Sequence, residues 1–364
     1  MKYWLFLGGL ALNFSAAAGW KYSDEVYDLA FQIANTECSS HSKECNEQQQ
    51  LAQKWIAYIK KHGKEVTPAS ATFEIPASNL PFAHLLTALK LKVNGEKNKL
   101  LTHYKQCVVY EICILNYSNI VLRENLETEY ISVRKLLQKH HVRYKSLVNN
   151  YGSMLLRGIG GEQDIDGGVA LLINNSFEPG ISMFNIASFY FDVGNYKYSL
   201  RYFEKAMNLG DKDALIHYAR HYQFGLGTEI NLQLAKDILL DEYTKSSDIK
   251  VGYYLFILLY DNPNLGSSSL DLVKLLRDAA TKKLPIANLD LGRFYFNGIL
   301  VKKDLVRAKT EFEFAWVGGE VDGLYYLSIT KLVLKESDSC DFIHNNIKNN
   351  SRLTVLYNKY CEKE

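Results

Sequence analysis

Residues 287–318 read ANLDLGRFYFNGILVKKDLVRAKTEFEFAWVG. Small or apolar residues stand at fixed offsets in this stretch: Leu291, Gly292, Tyr295, Gly298, Asp304, Ala308, Phe312 and Ala315. The spacing predicts two helices joined by a glycine-bearing loop, with Gly318 closing the second.

The pattern recurs upstream. Counting from Gly292, Tyr295 lies at +3, Gly298 at +6, Asp304 at +12, Ala308 at +16 and Phe312 at +20. Counting from Ala219 gives Tyr222, Gly225, Asn231, Ala235 and Leu239 at the same offsets, and from Gly152 gives Leu155, Gly158, Asp164, Gly168 and Leu172. A fourth, shorter copy starts at Ala187 with Tyr190, Ser199, Phe203 and Ala206. Its aromatic-to-small spacing is nine residues against 13 from Tyr295 to Ala308, so its loop is four residues shorter. A period of this kind identifies stacked helical units. Small residues on both helices allow close approach, loop glycines permit positive φ, and each unit leaves an apolar face that a neighbour must cover.

The long-loop copies resemble Sel-one-like repeats, and the short copy resembles a tetratricopeptide repeat, over roughly residues 148–335. The resemblance implies an all-α, right-handed superhelical solenoid of antiparallel helix pairs. It also implies a concave groove lined by the first helices, at positions one and five residues after each small residue. Those positions are Ser153 and Arg157, Ser188 and Asp192, Arg220 and Phe224, Arg293 and Asn297. Three arginines on one groove suit an acidic peptide, a carboxylate terminus or an anionic glycan. The copy near 251–284 is degenerate, with Pro263 and Ser267–Ser269 in place of the usual loop, and residues 323–360 form a weak last copy. Cysteine-rich members place a Cys pair inside each repeat. Here the pairs lie outside the array, so that subgroup's properties are not carried over.

The N-terminus reads as an export signal over residues 1–18: Lys2, the apolar run Tyr3–Leu12, then Ala16–Ala18 as a small-residue cleavage site. No later run is long enough to cross a bilayer. The six cysteines form three local pairs, Cys38 with Cys45, Cys107 with Cys113 and Cys340 with Cys361. Proximity favours those pairings, although six cysteines allow 15, and structural disulfides suit an oxidising compartment. No C-x-x-C metal spacing appears.

Residues 19–147 read as an N-terminal helical region. Helices are expected over Tyr22–Ala34, capped by Ser23, and over Gln48–His62. A Pro-bearing linker follows near 63–80, then helices over Phe82–Val93 and Lys97–Leu115 and one long charged helix over 118–146. Cys107 and Cys113, six apart, require either a break in their helix or other partners. Residues 336–364 read as a C-terminal cap.

The composition limits function. With 42 Lys and Arg against 40 Asp and Glu the net charge is +2, which supplies no basic surface for nucleic acid. Glycine-rich Gly158–Gly161 lacks the G-K-[ST] ending of a phosphate loop. His140 and His141 are adjacent and diverge on a helix. His217 and His221 are spaced to bind zinc but lack an acidic neighbour, and His221 is expected to face the loop or solvent. Glu124, Glu127 and Glu129 read as a solvated face. No catalytic residues, metal site or cofactor are expected. The reading is an exported scaffold in a bacterial envelope or secretion assembly, periplasmic or secreted. The alternatives are an envelope-polysaccharide-binding or enzyme-accessory protein, with Phe191, Phe224 and Phe296 as its aromatics, and a secreted factor that engages host proteins. In a eukaryotic secretory protein Asn116, Asn174 and Asn349 would be glycosylation acceptors.

Overall fold

The computed structural model describes residues 21–36, 38, 42–62, 73–76, 78–91, 97–266 and 271–362. The expected signal and most of the expected linker lie outside these residues. The described chain is all-α, a solenoid of consecutive helices that pack antiparallel, and it divides into two compact units, residues 1–211 and 212–364. The division falls between two repeat copies.

In the first unit the helices are α1 (Lys21–Ala34), α2 (Lys43–His62), α3 (Pro81–Leu91), α4 (Lys97–Gln106), α5 (Glu111–Arg123), α6 (Tyr130–His140), α7 (Val148–Arg157), α8 (Ile165–Asn175), α9 (Pro179–Asp192) and α10 (Tyr196–Asn208). Ser23 lies inside α1 rather than capping it, and α2 starts five residues before the expected Gln48. Buried Leu51, Trp55, Ile56 and Ile59 form the inner stripe of α2. Phe73 from the linker packs edge-on against Trp55, with ring centroids 5.2 Å apart, so this part of the linker is docked.

Two expected helices are broken, the first at the place where the cysteine spacing required either a break or other partners, the second where none was expected. The expected helix 97–115 stops at Gln106 and restarts at Glu111, with Tyr110 extended at φ −103° and ψ 137°. That break brings the Cα atoms of Cys107 and Cys113 to 5.7 Å, and the two form a disulfide. The expected helix 118–146 ends at Arg123 because Asn125 takes a left-handed conformation, φ 52°. The Leu126 amide then donates to Val121 O at 3.0 Å, which closes the helix end and redirects the chain into α6. The other two disulfides, Cys38–Cys45 and Cys340–Cys361, form as proximity favoured.

The second unit contains α11 (Lys212–Phe224), α12 (Leu232–Ser246), α13 (Ile249–Asp261), α14 (Leu272–Thr281), α15 (Pro285–Asn297), α16 (Leu305–Val317), α17 (Val321–Val333), α18 (Ser339–Asn346) and α19 (Arg352–Tyr360). The degenerate copy still yields its two helices, α13 and α14. Buried Phe256, Leu276, Phe294 and Phe312 belong to one core running through this unit.

The offsets seen in the sequence correspond to contacts. A Cβ on Gly292 would lie 2.6 Å from the Phe312 ring, and one on Gly152 would lie 2.5 Å from Leu172, so each small residue admits the +20 side chain. A Cβ on Gly168 would lie 3.1 Å from the Gly152 carbonyl, which is the expected small-against-small approach. Gly158 and Gly298 end their helices at φ +66° and +72°, where only glycine is unstrained. The polar residue at +12 begins the second helix. Asp164 Oδ1 accepts from Gly167 N, Asn231 Oδ1 from Leu234 N, and Asp304 Oδ1 from Val306 N and Arg307 N, at 2.8–3.1 Å.

The amide of each cap residue also donates to the carbonyl of the +3 residue: Asp164 to Leu155 at 2.9 Å, Asn231 to Tyr222 at 2.8 Å and Asp304 to Tyr295 at 2.9 Å. In the short copy Asn195 donates to Tyr190 O at 2.8 Å. The hydrogen bond is therefore kept while the loop it closes shortens by four residues.

Candidate functional site

The expected groove positions lie on α7 and α9 in the first unit and on α11 and α15 in the second. In the first unit Ser153 and Ser188 are buried, at 1% and 2% exposure, contrary to their expected place on an open surface. The reason is that α9 packs alongside α7. Ser182 Oγ donates to Asn149 Oδ1 at 2.6 Å at one end, and Arg157 Nη2 donates to Asp192 Oδ2 at 3.1 Å at the other. Ser153 and Ser188 fall between these pairs and seal the seam. Arg157 and Asp192 occupy equivalent positions in successive copies and bind each other.

In the second unit Arg220 is also buried. Its guanidinium stands 5.3 Å from the Tyr254 ring centre and 5.8 Å from that of Phe224. Burial pushes the Arg220 pKa down, and the Tyr254 and Tyr253 hydroxyls oppose that shift. Phe224 keeps 38% of its surface exposed, and Asn297 is exposed with its Nδ2 donating to Arg293 O.

Arg293 is held from two sides. Nη1 donates to Asp290 Oδ1 at 3.1 Å within α15, and Nη2 to Asp322 Oδ2 at 3.3 Å on α17. Its guanidinium also stands 4.8 Å from the Tyr326 ring centre. Asp290 in turn accepts from Tyr253 Oη on α13 at 2.7 Å, and Asp322 accepts from Arg352 on α19. A polar ladder thus links α13, α15, α17 and α19.

Burial pushes the Asp290 carboxyl above its ordinary value despite the Tyr253 and Arg293 donors. It raises Glu320 as well, with Asp322 and Asp290 adding to the shift. Carboxylates thus flank Arg157, Arg293 and Arg352 while rings flank Arg220, and none of these partners was expected of three open cations. Asp290, Tyr253, Asp322 and Arg352 were missed because they lie on other offsets or other helices. The signal available was Asp290, one helical turn before Arg293.

At the groove positions, the buried atoms Ser153 Oγ, Arg157 Nη1, Ser188 Oγ and Arg293 Nε have no hydrogen-bond partner among the described residues. His221 is buried at 1% exposure rather than facing solvent, and its Nδ1 pairs with His217 O at 2.8 Å. Burial, with Arg220 and His221 nearby, pushes the His217 pKa down to about 3. Asn116 is buried, which removes it as a glycosylation acceptor, whereas Asn174 is exposed. Among the described residues no three His, Cys, Asp or Glu side chains come together as metal ligands, and no helix is long and apolar enough to cross a membrane.

The Sel1 repeat family matches residues 148–173, 181–211, 212–239 and 285–309. The chain carries four Sel1 repeats and resembles Sel1-repeat proteins over that part. The four matches include the three long-loop copies and the short one. Sel1 repeats generally serve as protein–protein interaction scaffolds and are typically non-catalytic.

Among solved structures, a Sel1 repeat protein from Oxalobacter formigenes is similar at 14% identity and TM-score 0.49, over 78% of this chain and 87% of that one. A protective antigen with an SLR fold, present in uropathogenic Escherichia coli strains, is similar at 17% identity and TM-score 0.47, over 96% of this chain and 82% of that one. No curated protein matches the chain.

Proposed function

We propose that the chain is an exported, non-catalytic scaffold that holds a protein partner on the face formed by the first helices of the second unit's repeats, α11 and α15. The four Sel1 repeats carry this reading. On that face Phe224 and Asn297 supply an exposed ring and an exposed amide. An exposed aromatic beside a cation is a favoured anchor in protein interfaces. Because Arg293 is already paired with carboxylates, the partner is recognised by hydrogen bonding and aromatic contact rather than by a bare positive charge.

Three disulfides support export to an oxidising compartment, an envelope or secretion assembly being the setting that suits an exported scaffold. In-cell crosslinking with the intact chain as bait tests both points. A protein partner should be recovered from the envelope or medium fraction, and Phe224→Ala together with Asn297→Ala should reduce that recovery. Undiminished recovery with the double variant rejects this face, and recovery of the chain with reduced cysteines from the cytosolic fraction rejects export.

A further inference from the structure

The loop between α15 and α16 departs from its counterparts in the other two long-loop copies. Residues 298–304 read GILVKKD and align with Gly158–Asp164 and Gly225–Asn231. Eight residues after the small residue, those copies carry Gly160 and Gly227, left-handed at φ 71° and 69°. The same left-handed position is here held by Leu300, φ 55°, a conformation that strains a residue with a Cβ. Burial does not offset that strain. Leu300 is 47% exposed and Ile299 beside it 40%, and Val306 in the first turn of α16 is exposed as well.

The charge changes too. Ten residues after the small residue, Glu162 and Glu229 of the other copies give way to Lys302, and Lys303 follows it. Both lysines are exposed, and neither has an ion pair among the described residues. The one carboxylate of the loop, Asp304, is occupied. It accepts from Val306 N and Arg307 N and pairs with Arg307 Nε at 3.4 Å. The loop is firmly mounted: Ile299 N donates to Phe294 O at 3.1 Å, Asp304 N donates to Tyr295 O at 2.9 Å, and Val301 packs on the core of the second unit. Two aliphatic side chains are therefore held out in a fixed turn, with unpaired cations next to them in the chain.

We propose that this loop docks the chain on an anionic phospholipid bilayer, with Ile299 and Leu300 entering the boundary between headgroups and acyl chains and Lys302 and Lys303 pairing with lipid phosphates. An apolar tip beside a basic pair matches a surface that is anionic outside and apolar beneath. The long lysine stems let the ammonium groups stay at the phosphates while the tip is immersed. An acidic protein surface would answer the lysines and leave the aliphatic tip in water. The lipid contact lies on a loop and the proposed partner face on helices, so substitution separates the two.

Flotation of the full chain, as recovered from cells, with vesicles of equal parts phosphatidylcholine and phosphatidylglycerol tests the proposal, with pure phosphatidylcholine as the control. The chain should float with the anionic vesicles and not with the neutral ones, and added salt should release it. Lys302→Glu with Lys303→Glu should weaken binding at least tenfold, given about fivefold per lysine at an anionic surface. Leu300→Gly should also weaken it in a chain that still melts cooperatively, because glycine takes the left-handed turn without strain. Phe224→Ala should leave it unchanged. Comparison with the parent isolates the loop from the apolar run at residues 3–12. No flotation of the parent with anionic vesicles, equal flotation with neutral ones, or undiminished flotation of either folded loop variant overturns the proposal. So does a protein adduct in place of a lipid adduct from a photo-crosslinking residue at Ile299 in cells.

Discussion

Arg293 Nη2 lies 3.3 Å from Asp322 Oδ2, so the cation at the first groove position of one copy is held by a carboxylate at the start of the next first helix. The same guanidinium holds Asp290, which Tyr253 reaches from α13, the first helix of the preceding copy. Removing Arg293 leaves Asp290 half-satisfied in a site where its charge is already disfavoured. We expect Arg293→Ala to destabilise the second unit by about 1–3 kcal/mol and Asp322→Asn by less, in urea unfolding monitored through the aromatic signal. A neutral Arg293→Ala would mean that the arginine is an ordinary surface charge.

The pH dependence of the second unit combines two opposite effects. The folded pKa of His217 is pushed down to about 3, so the native state refuses a proton that the unfolded chain takes up near 6.5. Its contribution is complete above about pH 6.5 and is lost as pH falls toward 3, at up to about 1.4 kcal/mol per pH unit. Arg220, His221, Asp213 and Lys250 are the charged or titratable groups acting on it. His217→Gln should flatten this acid limb in denaturant titrations repeated across pH.

Asp290 and Glu320 act with the opposite sign. Their folded pKa values are raised, so the native state takes up protons before the unfolded state does, and stability from these groups rises as pH falls from neutral. Asp290→Asn with Glu320→Gln should remove that rise. A double variant whose stability falls with pH no more steeply than that of the parent would show that burial does not govern these carboxyls.

Close packing of the repeat depends on the missing Cβ at Gly292. Gly292→Ala places a methyl 2.6 Å from the Phe312 ring and should cost about 1–3 kcal/mol through overpacking. Phe312→Leu in the same chain should recover part of that loss, because a smaller side chain yields the space. Thermal melts of the single and double variants check the coupling, and additive effects would show that the two positions do not meet.

The caps are separable from the core. Asp304 accepts from two amides at the start of α16, so Asp304→Ala should cost about 1 kcal/mol, whereas Asp304→Asn should be nearly silent. Equal losses in the two variants would point to the carboxylate charge, through its contact with Arg307, rather than to the cap.

The repeat offsets were legible because each one corresponds to a steric or hydrogen-bonding requirement repeated along the chain. Glycine at +6 ends a helix, Asp or Asn at +12 begins the next, and a small residue at 0 admits the side chain at +20. The break at Asn125 was not legible, because a single left-handed residue interrupts an apolar stripe that otherwise continues through Val133 and Leu137. The groove was half legible. Its positions follow from the copy register, but whether a residue there is open depends on the neighbouring helix. Ser153 and Ser188 are covered by that packing and Phe224 is not. The partners of Arg293 come from α15 and α17 and are tied in turn to α13 and α19, and no local spacing encodes such a convergence.

The central claim is that the first-helix face holds a protein partner. Photo-crosslinking residues placed singly at Phe224, at Asn297 and, as an outer-face control, at exposed Glu313 on α16 test it most directly. A discrete higher-mass protein adduct in cells is expected from Phe224 and Asn297 and none from Glu313. Adducts from Glu313 alone, or from none of the three, would contradict it.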